Sequence, residues 1–250
     1  MTTQAKRDPS GSSGSASERI SLAGGALSVR RQGKGTPLLF LHDAGGASQW
    51  HGALDAWSRT LDVVVPDHPG FGASDELEGV DTVGDLVYLY LDLLDRLEID
   101  RSHVAGGSFG GWIAAELAVH SPDRFRSLTL LSPVGLRIPE HPVADLFLMG
   151  PEELARALYH DEKAAAQAFP RDPSVDDILR AYRDMGALAL FAWAPFMANP
   201  KLEQRLHRVR IPTLVAWPEH DRVVPRAPPG CGTRSTTSVP SRSRHSWPSS

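Results

Sequence analysis

Ser102-His103-Val104-Ala105-Gly106-Gly107-Ser108-Phe109-Gly110-Gly111-Trp112 decides how the rest of the chain reads. It opens on a short apolar run and ends in a helical pattern from Trp112 to His120, with Gly106-x-Ser108-x-Gly110 between them. A serine at a sharp strand-to-helix turn takes strained backbone angles. Strand and helix nearly touch there, so small neighbours are needed on both sides. Gly106, Gly107, Gly110 and Gly111 supply that room. Such a turn pushes the Ser108 hydroxyl out above the strand end. It also leaves the Phe109 N–H free at a helix start, where it can meet developing negative charge. A glycine-rich turn without chemistry has the same local signature, so the flanking segments decide between the two.

Upstream, Pro37 to Leu41 is a continuous apolar run, as a buried parallel strand requires, and it ends in His42-Asp43-Ala44-Gly45-Gly46. Leu61 to Val65 is a second such strand, ending in Asp67-His68-Pro69-Gly70-Phe71-Gly72-Ala73-Ser74-Asp75. Arg19 to Arg31 alternates around Gly24-Gly25 as a hairpin does. Gln49 to about Arg59 predicts a helix with Trp50, Leu54 and Trp57 on one face. Thr82 to Leu97 predicts another, with Val83, Leu86, Leu89, Tyr90, Leu93 and Leu94 at spacings of three and four. Downstream, Leu128 to Leu131 is the next strand. Strands and helices alternate from residue 37 to 133, which predicts an α/β fold: a mostly parallel, doubly wound sheet with helices on both faces. Ligands of such sheets bind at the carboxyl ends of the strands. The His42 loop, the Asp67 loop and Ser108 all fall at such ends, and that convergence favours a chemical role for the turn.

From about Pro133 to Arg210 the alternation stops. Pro151 to His160, Ser174 to Met185 and Leu202 to Arg208 read as helices and no strand pattern appears, so residues 134–210 are expected to be an inserted helical lid. Ile211 to Trp217 restores a strand, ending in Pro218-Glu219-His220-Asp221-Arg222-Val223-Val224-Pro225. The core is therefore placed at 17–133 and 211–225, with a disordered tail at 1–16. A chain of 250 residues, 41% hydrophobic, suits one large domain with an insertion. A net charge of −4 argues against nucleic acid or an anionic membrane as the main partner. Cys231 is the single cysteine, which excludes an internal disulfide framework and a cysteine-based zinc site. The first residues lack the apolar core of a signal peptide, and Ala187 to Ala198 is interrupted by Pro195 and too short to span a bilayer. The expectation is a cytoplasmic protein with a small apolar substrate and no metal; a homodimer is left open.

From about Arg19 to Pro225 the chain resembles the α/β-hydrolase superfamily, and is most similar to its lidded bacterial branch of meta-cleavage-product (carbon–carbon bond) hydrolases, esterases and cofactor-free haloperoxidases. Asp67-x-Pro69-Gly70-x-Gly72-x-Ser74, Gly106-x-Ser108-x-Gly110-Gly111 and Glu219-His220-Asp221-x-Val223-Val224-Pro225 carry the likeness. The resemblance implies no cofactor. It makes Ser108 the nucleophile of an elbow, whose hydroxyl needs a hydrogen-bonded base to take its proton. Asp221 becomes the acid that orients this base, with Glu219 as the second choice. Ala44 and Phe109 become the two N–H donors of an oxyanion hole. Beside them Asp43 stands where the family commonly has glycine, and its carboxylate would oppose an oxyanion unless turned away. His42 and His68 are rim residues that shape turns or touch substrate. His42, Phe191 and Trp193 are assigned to the substrate pocket. Phe147, Leu148, Met149, Leu188, Leu190, Phe196 and Met197 line it or pack the lid on the body. His103, His120 and His220 are expected to be structural or to point elsewhere.

In this fold the triad runs Ser, acid, His along the chain. His245 is the only histidine after Asp221. Its setting departs from the family, which would place a helix, an apolar strand, a Gly-His loop and a closing helix here. Between Arg226 and Ser250 there is no Leu, Ile, Phe or Met and no acidic residue. Residues 226–250 read as disordered, and two origins stay open: a slipped coding frame, or a genuine divergent tail. Two functions stay open with them. One is a serine hydrolase of a small to medium apolar ester, or of a carbon–carbon bond next to a ketone, impaired where the abnormal C-terminus lacks the family's last strand, base and helix. The other is a catalytically inactive, hydrolase-fold ligand-binding protein.

Overall fold

The computed structural model describes residues 17–46, 52–168 and 172–226. Seven strands form one sheet: β1 (Glu18–Leu22), β2 (Gly25–Gln32), β3 (Thr36–Leu41), β4 (Leu61–Pro66), β5 (Ser102–Gly107), β6 (Phe125–Leu131) and β7 (Thr213–Ala216). Their spatial order is β1-β2-β4-β3-β5-β6-β7. β1 and β2 form the expected hairpin, with Leu22 opposite Gly25, and β2 pairs antiparallel with β4. The other pairs are parallel. The sheet is thus mostly parallel, with an antiparallel hairpin at one edge.

The apolar runs are continuous because both faces of the sheet are covered. Leu39 and Leu41 of β3, with Val64 and Val104, point into the larger core, built with α2 (Val83–Arg96) and α3 (Ser108–His120). Leu38 and Phe40, with Val63, Val65 and Ala105, point the other way, against Leu54 of α1 (Gly52–Ser58). Trp57 of α1 packs on Phe40 with ring centroids 5.8 Å apart; Trp50 lies outside the described residues. A capping box starts α2: the Thr82 hydroxyl accepts from the Asp85 N–H while the Asp85 carboxylate accepts from the Thr82 N–H. Helix α3 is buried all round from Phe109 to Val119, the mark of a central helix.

Between β6 and β7 the chain is helical: α4 (Pro151–Leu158), α5 (Glu162–Ala168), α6 (Val175–Ala192) and α7 (Leu202–Arg205). Two features differ from expectation. The short helix α5 has no counterpart in the sequence reading. Helix α6 continues through Gly186 to Ala192 instead of stopping near Met185. A mid-helix glycine costs about 1 kcal/mol against alanine, and burial of Leu188, Phe191 and Ala192 beyond it outweighs that. The insertion leaves and returns at one place. Gly135 bridges Ala198, the Gly135 N–H donates to the Met197 carbonyl at 2.9 Å, and the Asn199 N–H donates to the Gly135 carbonyl at 2.9 Å. The Asn199 side chain donates to Glu116 of α3 at 2.7 Å, and Glu116 also accepts from the Trp112 indole. No helix among the described residues is long and apolar enough to cross a membrane.

Candidate active site

The turn between β5 and α3 is the geometric centre of the site. Ser108 holds φ = +47°, a left-handed conformation that costs a non-glycine residue energy. What holds it there is close packing of backbone on backbone. A Cβ on Gly106 would lie 2.2 Å from the Gly110 carbonyl oxygen, and one on Gly110 would lie 2.2 Å from that of Leu41. The start of α3 therefore rests directly on the ends of β3 and β5, and no side chain fits between. The Ser108 carbonyl accepts from the Val134 N–H at 3.2 Å, which ties the turn to the root of the insertion. Ser108 itself is half-buried.

Next to this turn runs the loop after β3. Gly107 approaches Asp43 closely enough that a Cβ on it would sit 3.9 Å from the Asp43 Cβ. The Asp43 carboxylate accepts from the Gly45 N–H at 2.8 Å, and its carbonyl accepts from the Gly46 N–H at 3.2 Å. The carboxylate thus closes its own loop. Ala44 lies in this turn, and Phe109 begins α3 with its ring fully buried. The Phe109 ring stacks on Phe191 of α6 at 6.1 Å and meets the His68 ring edge-on at 5.4 Å.

His42 is placed differently from expectation. It is 2% exposed, and both ring nitrogens are engaged: Nδ1 lies 2.7 Å from the Asp43 carbonyl oxygen, and Nε2 accepts from the His68 N–H at 2.9 Å. It lies beneath the rim, holding two loops to each other, rather than presenting a nitrogen to a ligand. Burial lowers its pKa to about 4, so it is neutral near pH 7. Its partner His68 and the Tyr90 that pairs with His68 are fully buried, and this chain of contacts was not legible in the sequence.

Phe191, assigned to the substrate pocket, is buried against Phe109. It also lines a cleft of about 540 Å³ between the 69–81 loop and α6, with Pro69, Leu77, Val80 and Ala187. Ser108, Ala44 and Asp221 do not line this cleft. Trp193 is 56% exposed and packs its ring on Phe147 at 5.3 Å.

On the far side, Asp221 follows β7 and is half-buried. Its Oδ1 accepts from the N–H groups of Val223 and Val224, at 3.0 and 2.8 Å. That fixes the carboxylate by its own turn. Glu219 is exposed, and His220 stacks on His160 at 4.3 Å. His103 bonds Ser127, and His120 bonds Ser121 and Tyr88. His245, Cys231, the expected tail at 1–16 and all of the 226–250 tail beyond Arg226 lie outside the described residues. Among the described residues, no histidine is hydrogen-bonded to Ser108 or Asp221, and no cluster of three metal-ligating side chains occurs.

One carboxylate was missed. Asp184 of α6 is 6% exposed and accepts the Gly72 N–H at 3.1 Å, while Arg183 donates to the Gly72 carbonyl. Burial raises the Asp184 pKa above the usual carboxylate range, and the Gly72 N–H partly offsets this. Its signal in the sequence is its phase: Asp184, Leu188 and Phe191 share one helical face.

Residues 36–225 match the family described as the alpha/beta hydrolase fold. The chain belongs to the α/β-hydrolase family. It is 28% identical over 218 residues to a pimeloyl-[acyl-carrier protein] methyl ester esterase of Aeromonas salmonicida, covering 81% of this chain and 84% of that one. It is 29% identical over 225 residues to the dihydrolipoyllysine-residue acetyltransferase component of an acetoin cleaving system from Cupriavidus necator, covering 81% of this chain but spanning only 58% of that protein's length. Among solved structures it is similar to the 2-hydroxy-6-oxo-6-phenylhexa-2,4-dienoate hydrolase of Rhodococcus sp. strain RHA1, with a TM-score of 0.64, 26% identity, and coverage of 84% and 83% of the two chains. Of these three, one is named an esterase, one a hydrolase and one an acetyltransferase component.

Proposed function

We propose that this chain is a serine hydrolase of a small to medium, largely apolar ester, or of a carbon–carbon bond next to a ketone. The observation that carries the reading is the positive φ of Ser108 in a turn where glycines let helix and strand touch. That conformation is costly, and strain of this kind gathers at functional sites. The esterase and dienoate hydrolase among the relatives supply the two substrate classes. In ester cleavage the Ser108 Oγ attacks the carbonyl carbon and its proton passes to a base. The Ala44 and Phe109 N–H groups hold the oxyanion. The C–O bond to the leaving alcohol then breaks as the base returns the proton, and water repeats the sequence on the acyl-serine. Asp221 orients the base through Oδ2, since Oδ1 is held by Val223 and Val224. Chain order makes His245 that base. The helical insertion serves as a lid, with Phe191 reaching the site.

Fluorophosphonate labelling tests this. Wild-type protein is expected to be labelled and Ser108→Ala to lose both labelling and hydrolysis of p-nitrophenyl butyrate with its fold unchanged. Labelling that persists in Ser108→Ala would place the nucleophile elsewhere. A wild-type chain that binds apolar ligands but is never labelled would make it a ligand-binding member of the family.

A further inference from the structure

The two histidines under the β3 and β4 loops have their protons assigned by their partners. An amide N–H can only donate, so His42 Nε2, 2.9 Å from the His68 N–H, carries a lone pair. A carbonyl oxygen can only accept, so His42 Nδ1, 2.7 Å from the Asp43 carbonyl, carries the hydrogen. The same reasoning puts a hydrogen on His68 Nε2, 3.0 Å from the His42 carbonyl, and leaves His68 Nδ1 to accept from the Tyr90 hydroxyl. The two rings, in opposite tautomers, lie with centroids 3.7 Å apart and planes tilted by 36°. Burial disfavours the charged form of both.

The Asp43–Ala44 peptide is trans, so its carbonyl and its N–H point in opposite directions. We propose that His42 is a positioning residue: by gripping the Asp43 carbonyl from below, it turns the Ala44 N–H outward as an oxyanion donor, and the His68 backbone N–H on Nε2 holds the tautomer that makes the grip possible. The proposal rests on Ser108 and Ala44 having the roles given above. It explains why a polar pair is kept fully buried under this loop, where an apolar pair of similar size would avoid desolvation altogether. It also explains how the loop tolerates Asp43. Its carbonyl faces the imidazole and its carboxylate faces Gly45, so the Ala44 N–H is the group left at the turn's outer edge.

The test separates donor from bulk. An asparagine side-chain nitrogen reaches the position of His Nδ1, and a glutamine side chain reaches that of Nε2. His42→Asn keeps the donor to Asp43. His42→Gln keeps the partner of the His68 N–H and loses that donor. In p-nitrophenyl butyrate hydrolysis, His42→Gln is expected to lower kcat about 10²-fold, as loss of an oxyanion donor does, with KM unchanged. His42→Asn is expected to recover most of it, although it is the smaller side chain. Equal losses, or better activity in His42→Gln, would overturn the proposal and leave His42 a packing residue. Long-range ¹H–¹⁵N spectra of histidine-labelled full chain give a readout free of turnover. His42 is expected as the Nδ1–H tautomer and His68 as Nε2–H. His42 found as Nε2–H overturns the proposal outright. If wild-type protein hydrolyses no ester, the Ser108 reading fails by itself. The spectra then decide the proposal: an Ala44 amide resonance kept in His42→Asn and shifted in His42→Gln upholds it, and the reverse pattern overturns it.

Discussion

The two halves of the site are held in place by different physics. The Ser108 half stands on β3, β5 and α3, where Leu39, Leu41 and Ile113 are fully buried and the backbones touch through Gly106 and Gly110. The Asp221 half stands on β7, the last strand in the sheet order, whose Leu214 is 45% exposed. A fully buried leucine contributes about 1.5–3 kcal/mol, so β7 is anchored far more weakly than β3. Position on the first side is set by backbone packed on backbone, while on the second it is set by hydrogen bonds within a turn and by burial of Val223 and Val224 just beyond Asp221. The Asp221 side chain can therefore be exchanged at little cost to the fold, whereas a side chain added at Gly106 or Gly110 forces backbone away from backbone.

Asp221→Asn gives the sharpest contrast. Asparagine retains an oxygen for the Val223 and Val224 N–H groups, so the thermal midpoint is expected to stay near wild type. The side chain no longer orients an imidazole, and a change of this kind costs about 10⁴-fold in turnover in a well-studied serine protease. A midpoint that falls along with activity would show that this half carries the fold after all. Gly110→Ala is the converse. The new Cβ meets the Leu41 carbonyl at 2.2 Å, so the loss is expected at the upper end of the roughly 1–3 kcal/mol that overpacking costs. A wild-type midpoint in urea would break the comparison from the other side.

Asp184 sharpens it at the seam between α6 and the Gly72 loop. Its pKa is raised in the folded protein, so the folded state holds this proton more tightly than the unfolded chain does. The contribution to stability is therefore fully present below the ordinary carboxylate value near 3.9 and is lost as pH rises through the raised value. Asp184→Asn, which still accepts the Gly72 N–H, is expected to equal or exceed wild type in thermal midpoint at pH 7. The gap should close as pH falls toward about 4. A variant that is less stable at pH 7 would mean that Arg183 and Arg180 stabilise the carboxylate more than burial penalises it. The smallest effect belongs to Trp193→Ala. With 56% of the residue exposed, its stability change is expected within about 1 kcal/mol, and acyl-length preference should shift less than in Phe191→Ala, measured over a series of p-nitrophenyl esters. A larger shift for Trp193→Ala would move the acyl site to the Phe147 side of α6.

The sheet was legible because its signals are backbone signals: uninterrupted apolar runs such as Leu38 to Leu41, and glycines such as Gly106 and Gly110 where no other residue fits. The α6 boundary was not, because Gly186 reads as a breaker in isolation and only the burial of Leu188 and Phe191 overrides it. The buried pair of His42 and His68 was hidden for a different reason. The residues are far apart in the sequence, and nothing local tells a rim histidine from one a side chain's depth below it. Asp184 is intermediate, since its helical phase announces burial but its partner, a backbone N–H on another loop, leaves no trace in the sequence.

The clasp at Gly135 and Ala198 has a consequence for how such a protein can change over time. Entry and exit of the insertion are neighbouring strands' width apart, about 4.8 Å, and are fastened to α3 through Asn199 and Glu116. What is threaded between those two points adds no strand to the sheet, and it rests on the body through Leu188, Phe191 and Ala192. Doubling its length would add only about 0.6 kcal/mol of closure entropy. A foreign insertion grafted between these two residues would have to replace the Leu188, Phe191 and Ala192 contacts, while the turn bearing Ser108 keeps its own backbone contacts to β3 and β5.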